Sequence, residues 1–128
     1  MITFSHYPDA EAYITKDGSI IRELMHPSLQ GNHNQSLAEA IIPAHTSTLL
    51  HKHLKTEEIY HIIQGEGTVR VGDETMMVQT GDSILIPPGT IHNICNNQDE
   101  ELKILCCCSP AYSHDDTFLI QTPNLLRP

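Results

Sequence analysis

The chain has 128 residues, a length typical of one domain and sufficient to bury a hydrophobic core. It carries 7 lysines and arginines against 16 aspartates and glutamates, so its formal net charge is -9. Because nucleic acids and anionic membrane surfaces attract positively charged proteins, we expect no nucleic-acid partner and no membrane partner.

The N-terminal residues lack the basic and apolar segments of a secretory signal peptide, and no apolar run is long enough to span a membrane. Three of the 4 cysteines are consecutive, an arrangement that is poor for a disulfide framework. We therefore expect reduced thiols and a cytoplasmic location.

Residues 1–18 have mixed polarity and include one candidate short helix over 8–14. From Ser19 onward, short apolar runs alternate with turns that carry Gly, Pro, Asn or Asp. Many short strands at this spacing predict a sandwich or a barrel rather than alternating helices and strands. Gly72 and Asp73, between two such runs, predict a hairpin turn. The predicted strands cover 19–25, 37–42, 48–53, 59–64, 67–71, 75–79, 83–86, 92–95 and 102–108.

His51 and His53 lie one residue apart in the predicted strand 48–53. Side chains alternate between the two faces of a strand, so both imidazoles point the same way and Lys52 points the other way. If the shared face is the interior of a barrel, both imidazoles reach one metal ion.

A carboxylate and a third imidazole complete a candidate metal site. Glu57 and Glu58 begin the next strand on opposite faces, and the preceding turn leaves open which one points inward. His92 begins the strand after a proline-glycine turn at 87–89. Imidazole and carboxylate suit Fe, Mn, Zn, Ni, Co or Cu, and four protein ligands leave positions open for a substrate or for dioxygen.

Cys106 and Cys108 share one face of the predicted strand 102–108, whereas Cys107 takes the other face. We favour the interpretation that these small side chains fill space in a closing strand. The alternative is a pocket-facing thiol that serves as a redox group or as an additional metal ligand.

These spacings resemble the two sequence motifs of the cupin superfamily, in the form found in small single-domain, type-2 members. The second motif is a glycine, five residues, a proline, one residue, a glycine, two residues, a histidine, three residues and an asparagine. Every spacing is matched here, by Gly81, Pro87, Gly89, His92 and Asn96.

The first motif is a glycine, five residues, His-x-His, three or four residues, a glutamate, six residues and a glycine. His51, His53, Glu58 and Gly65 match it, but His45 replaces the opening glycine. The interval to Gly65 favours Glu58 over its neighbour as the carboxylate ligand. A glycine often serves a position of positive φ, so His45 either adopts that geometry or marks a different turn.

The resemblance implies an all-β fold, the double-stranded β-helix or jelly-roll barrel, with short N- and C-terminal extensions. It implies one divalent transition-metal ion held by His51, His53, Glu58 and His92. We expect a single domain over 1–128, with a barrel core at about 36–109, an N-terminal extension at 1–35 and a C-terminal tail at 110–128. Small cupins pair through sheet edges or exchanged strands, so we also expect a homodimer.

The resemblance further implies a metal-dependent enzyme that acts on a small organic molecule, as a dioxygenase, an isomerase, a lyase or a related catalyst. The alternative is a non-catalytic cupin that binds or senses a small molecule. Tyr60 shares a strand face with Glu58, and His45 has the same parity as His51 and His53. Tyr60 and His45 are therefore the candidates for assisting proton transfer.

Overall fold

The computed structural model describes residues 1–120, and the end of the predicted tail, 121–128, lies outside this part. A short helix, α1 (Pro27–Gln30), and two 3₁₀ turns accompany the strands. No helix within residues 1–120 is long and apolar enough to cross a membrane. The strands are β1 (Tyr13–Ile14), β2 (Ile20–Met25), β3 (Ser36–Ile42), β4 (Thr46–Ser47), β5 (His51–His53), β6 (Glu57–Gln64), β7 (Glu66–Val71), β8 (Glu74–Gln79), β9 (Ser83–Ile86), β10 (His92–Asn96), β11 (Leu102–Ser109) and β12 (Thr117–Leu119).

Two antiparallel sheets form the barrel, which is a double-stranded β-helix as predicted. The first sheet has the strand order β1-β2-β3-β11-β6-β9. The second sheet has the order β12-β5-β10-β7-β8, and β4 also pairs with β10. Strands that are neighbours in a sheet are therefore often distant in sequence, which is how residues from separate motifs come together.

Most predicted strands are confirmed to within two residues of each end, because their apolar residues alternate with polar ones along the chain. In β11, for example, the alternation buries Leu102, Ile104, Cys106 and Cys108 and leaves the intervening side chains partly exposed. The predicted hairpin turn between β7 and β8 is also confirmed, with Gly72 at φ +62°.

Two local predictions are wrong. Residues 8–14 do not form a helix: a single 3₁₀ turn covers Tyr7–Asp9, and Tyr13–Ile14 pairs with β2 instead. The predicted strand 48–53 is shorter than expected: only His51–His53 forms β5, residues 48–50 belong to no strand, and Thr46 and Ser47 before them pair with β10 as β4.

Both segments outside the predicted core add strands to the sheets. β1 and β2 extend the first sheet next to β3, and β12 pairs with β5 at the edge of the second sheet. The two flanking segments therefore lie at the end of the barrel where β5 is located.

The core between the sheets is made of aliphatic side chains from both of them. The fully buried members include isoleucines from β3, β6, β9, β10 and β11. Burial of this kind stabilises a domain by about 25 cal/mol per Å² of apolar surface removed from water. The largest fully buried apolar side chains are Ile42, Ile62, Ile86, Ile94, Leu102 and Ile104.

Asn96, the last residue of the second motif, fastens the turn after β10 to β3. Its side chain is completely buried, and Nδ2 donates to the carbonyls of Ile42 at 3.0 Å and Glu100 at 2.8 Å. Its Oδ1 accepts from the backbone N–H of Gln98 at 3.0 Å. The amide therefore satisfies three backbone groups that otherwise lack these partners.

Asn96→Ala is expected to destabilise the protein by about 3 kcal/mol, because it leaves buried backbone groups without hydrogen bonds. Urea unfolding of the purified variant measures this. The exposed neighbour provides the control, since Asn97→Ala is expected to change the free energy of unfolding by about 0.5 kcal/mol or less. Equal effects of the two substitutions would contradict the structural role of Asn96.

Candidate metal centre

Three histidines meet inside the barrel at the β5 end. His51 and His53 both point inward from β5, and His92 on β10 is the register partner of His51. All three side chains are buried, and one ring nitrogen from each lies within 4.8 Å of the others. The structure therefore brings together the two imidazoles for which alternation predicted a shared face and the third candidate, His92, from the second motif.

The tautomers of His51 and His92 follow from their neighbours. Nδ1 of His51 lies 2.7 Å from the carbonyl oxygen of Leu49, and Nδ1 of His92 lies 2.9 Å from that of Thr90. A carbonyl oxygen only accepts, so each Nδ1 carries the proton and donates it. Each Nε2 is then left with a lone pair that faces the interior.

His53 reaches the same state through a threonine. Thr117 Oγ1 donates to the carbonyl of Ser113 at 2.8 Å, so its hydrogen is already engaged. It therefore accepts from Nδ1 of His53, at 3.1 Å. In the neutral form of each histidine the nitrogen without a proton is therefore Nε2, and neutral imidazole is the form that binds a metal ion.

Glu58 supplies a carboxylate from the opposite sheet. Its Oε1 lies 3.3 Å from Nε2 of His53 and 3.5 Å from Nε2 of His92, and its side chain is buried. Alternation along β6 leaves Glu57 exposed on the outer face. The structure thus orients Glu58, and not Glu57, toward the histidines.

Two polar atoms at this site are buried without a hydrogen-bond partner among residues 1–120: Oε1 of Glu58 and Nε2 of His92. Buried polar atoms rarely remain unsatisfied, and here a carboxylate oxygen and a nitrogen lone pair face each other. A cation satisfies both groups at once. The donor set is therefore chemically suited to a divalent transition metal.

Burial and the neighbouring groups of the site shift the pKa values of His51, His53 and Glu58. Burial lowers the pKa of His51 to about 4, with His92 adding to the decrease and Asp17 opposing it. Burial raises the pKa of Glu58, but the imidazoles of His53 and His92 outweigh it and lower that pKa to about 2. Burial lowers the pKa of His53, but Glu58 outweighs burial and the net change is an increase.

A cavity adjoins the cluster and includes His51, His53 and Glu58 in its wall. Tyr60, two residues along β6 from Glu58, also lines it, as predicted from strand parity. Burial, followed by the charge of Glu58, raises the pKa of Tyr60 well above its usual value. The phenol therefore keeps its proton at neutral pH.

Two of the three consecutive cysteines face this cavity. Cys106 and Cys108 line it, and Sγ of Cys108 donates a weak hydrogen bond to Oε2 of Glu58 at 3.4 Å. Burial raises the pKa of both thiols, and Glu58 adds to the increase. They are thus protonated neighbours of the carboxylate, packed as small side chains in the barrel wall.

The structure does not bring His45 to this site. It adopts φ +56°, which accounts for the glycine at this position of the motif. Its ring is exposed and Nε2 lies 2.7 Å from Oδ1 of Asp99. The parity on which its pocket position was predicted is lost, because the bend between β4 and β5 interrupts the strand.

Among the polar residues of the cavity wall that sequence reasoning missed are three from the flanking segments. Asp17 and Glu23 come from the β1–β2 hairpin, and Tyr112 comes from the segment before β12. Asp17-Gly18 is a recognisable turn signal. Its position over the barrel end depends on tertiary contacts, such as the bond from the Leu49 N–H to the Asp17 carbonyl at 2.7 Å.

The model of the cupin domain family matches residues 38–108, more than half of the chain. The chain belongs to the cupin family. This cupin is 51% identical over 117 residues to an uncharacterized protein of Methanocaldococcus jannaschii, covering 91% of this chain and 94% of the relative. It is 31% identical over 80 residues to an oxalate-binding protein of Thermotoga maritima, covering 61% of this chain and 66% of that protein.

Among solved structures, this cupin is similar to the oxalate decarboxylase of Lactobacillus farciminis in its formate complex. The TM-score is 0.78 at 25% identity, covering 90% of this chain and 35% of that chain. The barrel is therefore shared with a metabolic enzyme whose chain is much longer.

The metal-free cupin is expected to lose stability as the pH falls from about 6.5 to 4. The pKa of His51 is about 4 in the folded state against 6.5 ordinarily, so in this range the unfolded chain binds the proton more readily. The shift corresponds to roughly 3 kcal/mol. Glu58 acts with the same sign at lower pH. Its folded-state pKa lies below the ordinary carboxyl pKa, so its contribution to stability is present above the ordinary pKa and is lost on acidification.

Urea unfolding in the presence of a chelator, at several pH values, measures this dependence. His51→Asn is the matched variant, since it removes the titrating ring and is expected to flatten the slope between pH 4 and 6.5. The raised pKa of His53 acts with the opposite sign in both proteins. Equal slopes for the two proteins would contradict the assignment to His51.

Proposed function

We propose that this cupin holds one divalent transition-metal ion with His51, His53, Glu58 and His92, and that it is an enzyme acting on a small organic molecule. The observation that carries this proposal is the meeting of three buried histidines, with one ring nitrogen of each within 4.8 Å of the others. Oε1 of Glu58 lies 3.3 Å from His53 and 3.5 Å from His92, and it has no hydrogen-bond partner among residues 1–120. Stability alone does not explain that arrangement, since burying unpaired polar atoms is unfavourable.

The bound ion would polarise a coordinated oxygen or bind dioxygen. The chain's own residues support such chemistry in three ways. Glu58 offsets positive charge inside the barrel, the Nδ1 hydrogen bonds fix the orientation of each imidazole, and Tyr60 holds a proton on Oη beside the cavity. The reaction classes that fit are oxygenation, isomerisation and carbon–carbon cleavage of a small ligand.

A second candidate function is non-catalytic binding or sensing of a small molecule. The similarity to a protein described as oxalate-binding favours it. The same site serves both functions, so the distinction depends on turnover. A homodimer and a cytoplasmic location stay predictions.

Replacing a proposed ligand is expected to weaken metal binding at least about tenfold, because the remaining donors no longer satisfy the ion. The variants are His51→Ala and Glu58→Gln, each with a matched control on the outer side of β6. Elemental analysis of purified protein and cobalt titration followed by visible absorption measure the affinity.

The controls are His61→Ala, whose ring bonds Ser83 at 2.8 Å away from the cavity, and the exposed neighbour Glu57→Gln. Both controls are expected to bind cobalt as the wild type does. Wild-type affinity in His51→Ala or Glu58→Gln would show that the ligand set is wrong.

Oxygen uptake distinguishes a dioxygenase from the other functions. Iron-loaded protein is expected to consume dioxygen with at least one member of a panel of enolic and catecholic compounds. Tyr60→Phe is expected to retain iron but to reduce turnover by about a hundredfold, the lower end for a lost proton donor. A redox-inert native metal and no oxygen uptake across the panel would count against oxygenation and in favour of isomerisation or binding.

A further inference from the structure

The wall of the cavity is acidic. Asp17, Glu23 and Glu58 line it, and no lysine or arginine within residues 1–120 does so. The basic side chains nearest in sequence are engaged elsewhere: Nζ of Lys16 donates to two backbone carbonyls of the C-terminal segment, and Arg22 lies 3.6 Å from Glu39. Within residues 1–120, the cavity wall therefore offers a ligand hydrogen-bond acceptors but no lysine or arginine side chain.

Asp17 is held in a defined position at the metal centre. Its Oδ1 accepts from both the N–H and the hydroxyl of Ser19, at 2.9 and 2.6 Å. Its backbone carbonyl accepts from Leu49, next to β5. Its remaining oxygen, Oδ2, lies 3.4 Å from Nε2 of His51. The turn thus places Oδ2 of Asp17 at the edge of the histidine cluster, while Oδ1 of the same carboxylate already accepts two hydrogen bonds from Ser19.

Glu23 adds a second acidic group farther along the hairpin. Tyr13 Oη donates to its Oε1 at 2.9 Å, while Oε2 is buried and has no partner among the described residues. Whether ionised or protonated, the carboxyl group of Glu23 carries no positive charge. When the ion satisfies Glu58 as proposed, Oε2 of Glu23 still leaves a buried oxygen in the cavity wall without a partner among residues 1–120.

We propose that the ligand of this cavity is a small molecule without net negative charge that carries O–H or N–H donors, and that Asp17 selects against dicarboxylates such as oxalate. This inference rests on the proposed metal-binding function. Oxalate brings two negative charges and only acceptors, so beside Asp17 it meets repulsion and makes no hydrogen bond to the carboxylate. This cupin therefore differs in ligand class from the relatives whose names refer to oxalate.

The test compares oxalate, oxamate and oxamide, which share one planar framework and differ in charge from two negative charges to none. Each is titrated calorimetrically into the cobalt-loaded full chain and into its Asp17→Asn variant. Removing the charge is expected to raise oxalate affinity about tenfold or more, to raise oxamate affinity less, and to lower oxamide affinity. Asp17→Ser is a second neutral variant, with the same expectation if the asparagine variant folds poorly.

Glu74→Gln removes one negative charge from exposed β8, outside the cavity wall, and is expected to leave all three affinities unchanged. Unchanged or reduced oxalate affinity in the folded Asp17 variants would overturn the inference, as would an equal gain in Glu74→Gln. Cobalt content is measured on the same samples. A wild type that binds no cobalt refutes the proposed metal function, whereas bound cobalt without an oxalate gain refutes the ligand class alone.

Discussion

The constraint on which this barrel depends is the placement of three imidazole protons. His51 and His92 give theirs to backbone carbonyls, and His53 gives its proton to a threonine hydroxyl that is itself engaged. The two backbone acceptors are local, since the carbonyls belong to Leu49 and Thr90, two positions before each ring. Once the outer nitrogens are fixed as donors, the inner nitrogens converge as acceptors, and the space between the sheets becomes a site for positive charge.

Glu58 extends this constraint across the barrel. The histidines belong to one sheet and the carboxylate to the other, so a cation at the centre would join the two sheets at the end where aliphatic packing stops. A buried carboxylate is unfavourable by itself. The lowered pKa of Glu58 indicates that His53 and His92 already compensate for part of the burial. An ion bound as proposed would couple the two sheets through a small number of polar side chains.

The sequence predicted the barrel, most of its strands and the inward direction of His51 and His53, because alternation and turn residues are local properties. It left Glu57 and Glu58 open, since the turn before β6 erases the phase of the alternation. His45 was misplaced for a related reason: the break between β4 and β5 depends on pairing with β10. Asp17 was missed because its position over β5 depends on contacts between residues far apart in sequence.

The family match spans residues 38–108 and contains all four proposed ligands, whereas Asp17, Glu23 and Tyr112 lie outside it. The barrel thus separates two tasks along the chain. Its shared central part carries the four proposed ligands and much of the cavity wall, and its flanking segments complete that wall with Asp17, Glu23 and Tyr112. Relatives can keep the same four ligands and still bind different molecules when the hairpin before the barrel and the segment after it diverge. Substitutions at Asp17, Glu23 or Tyr112 would therefore alter what the cavity accepts while leaving the four proposed metal ligands in place.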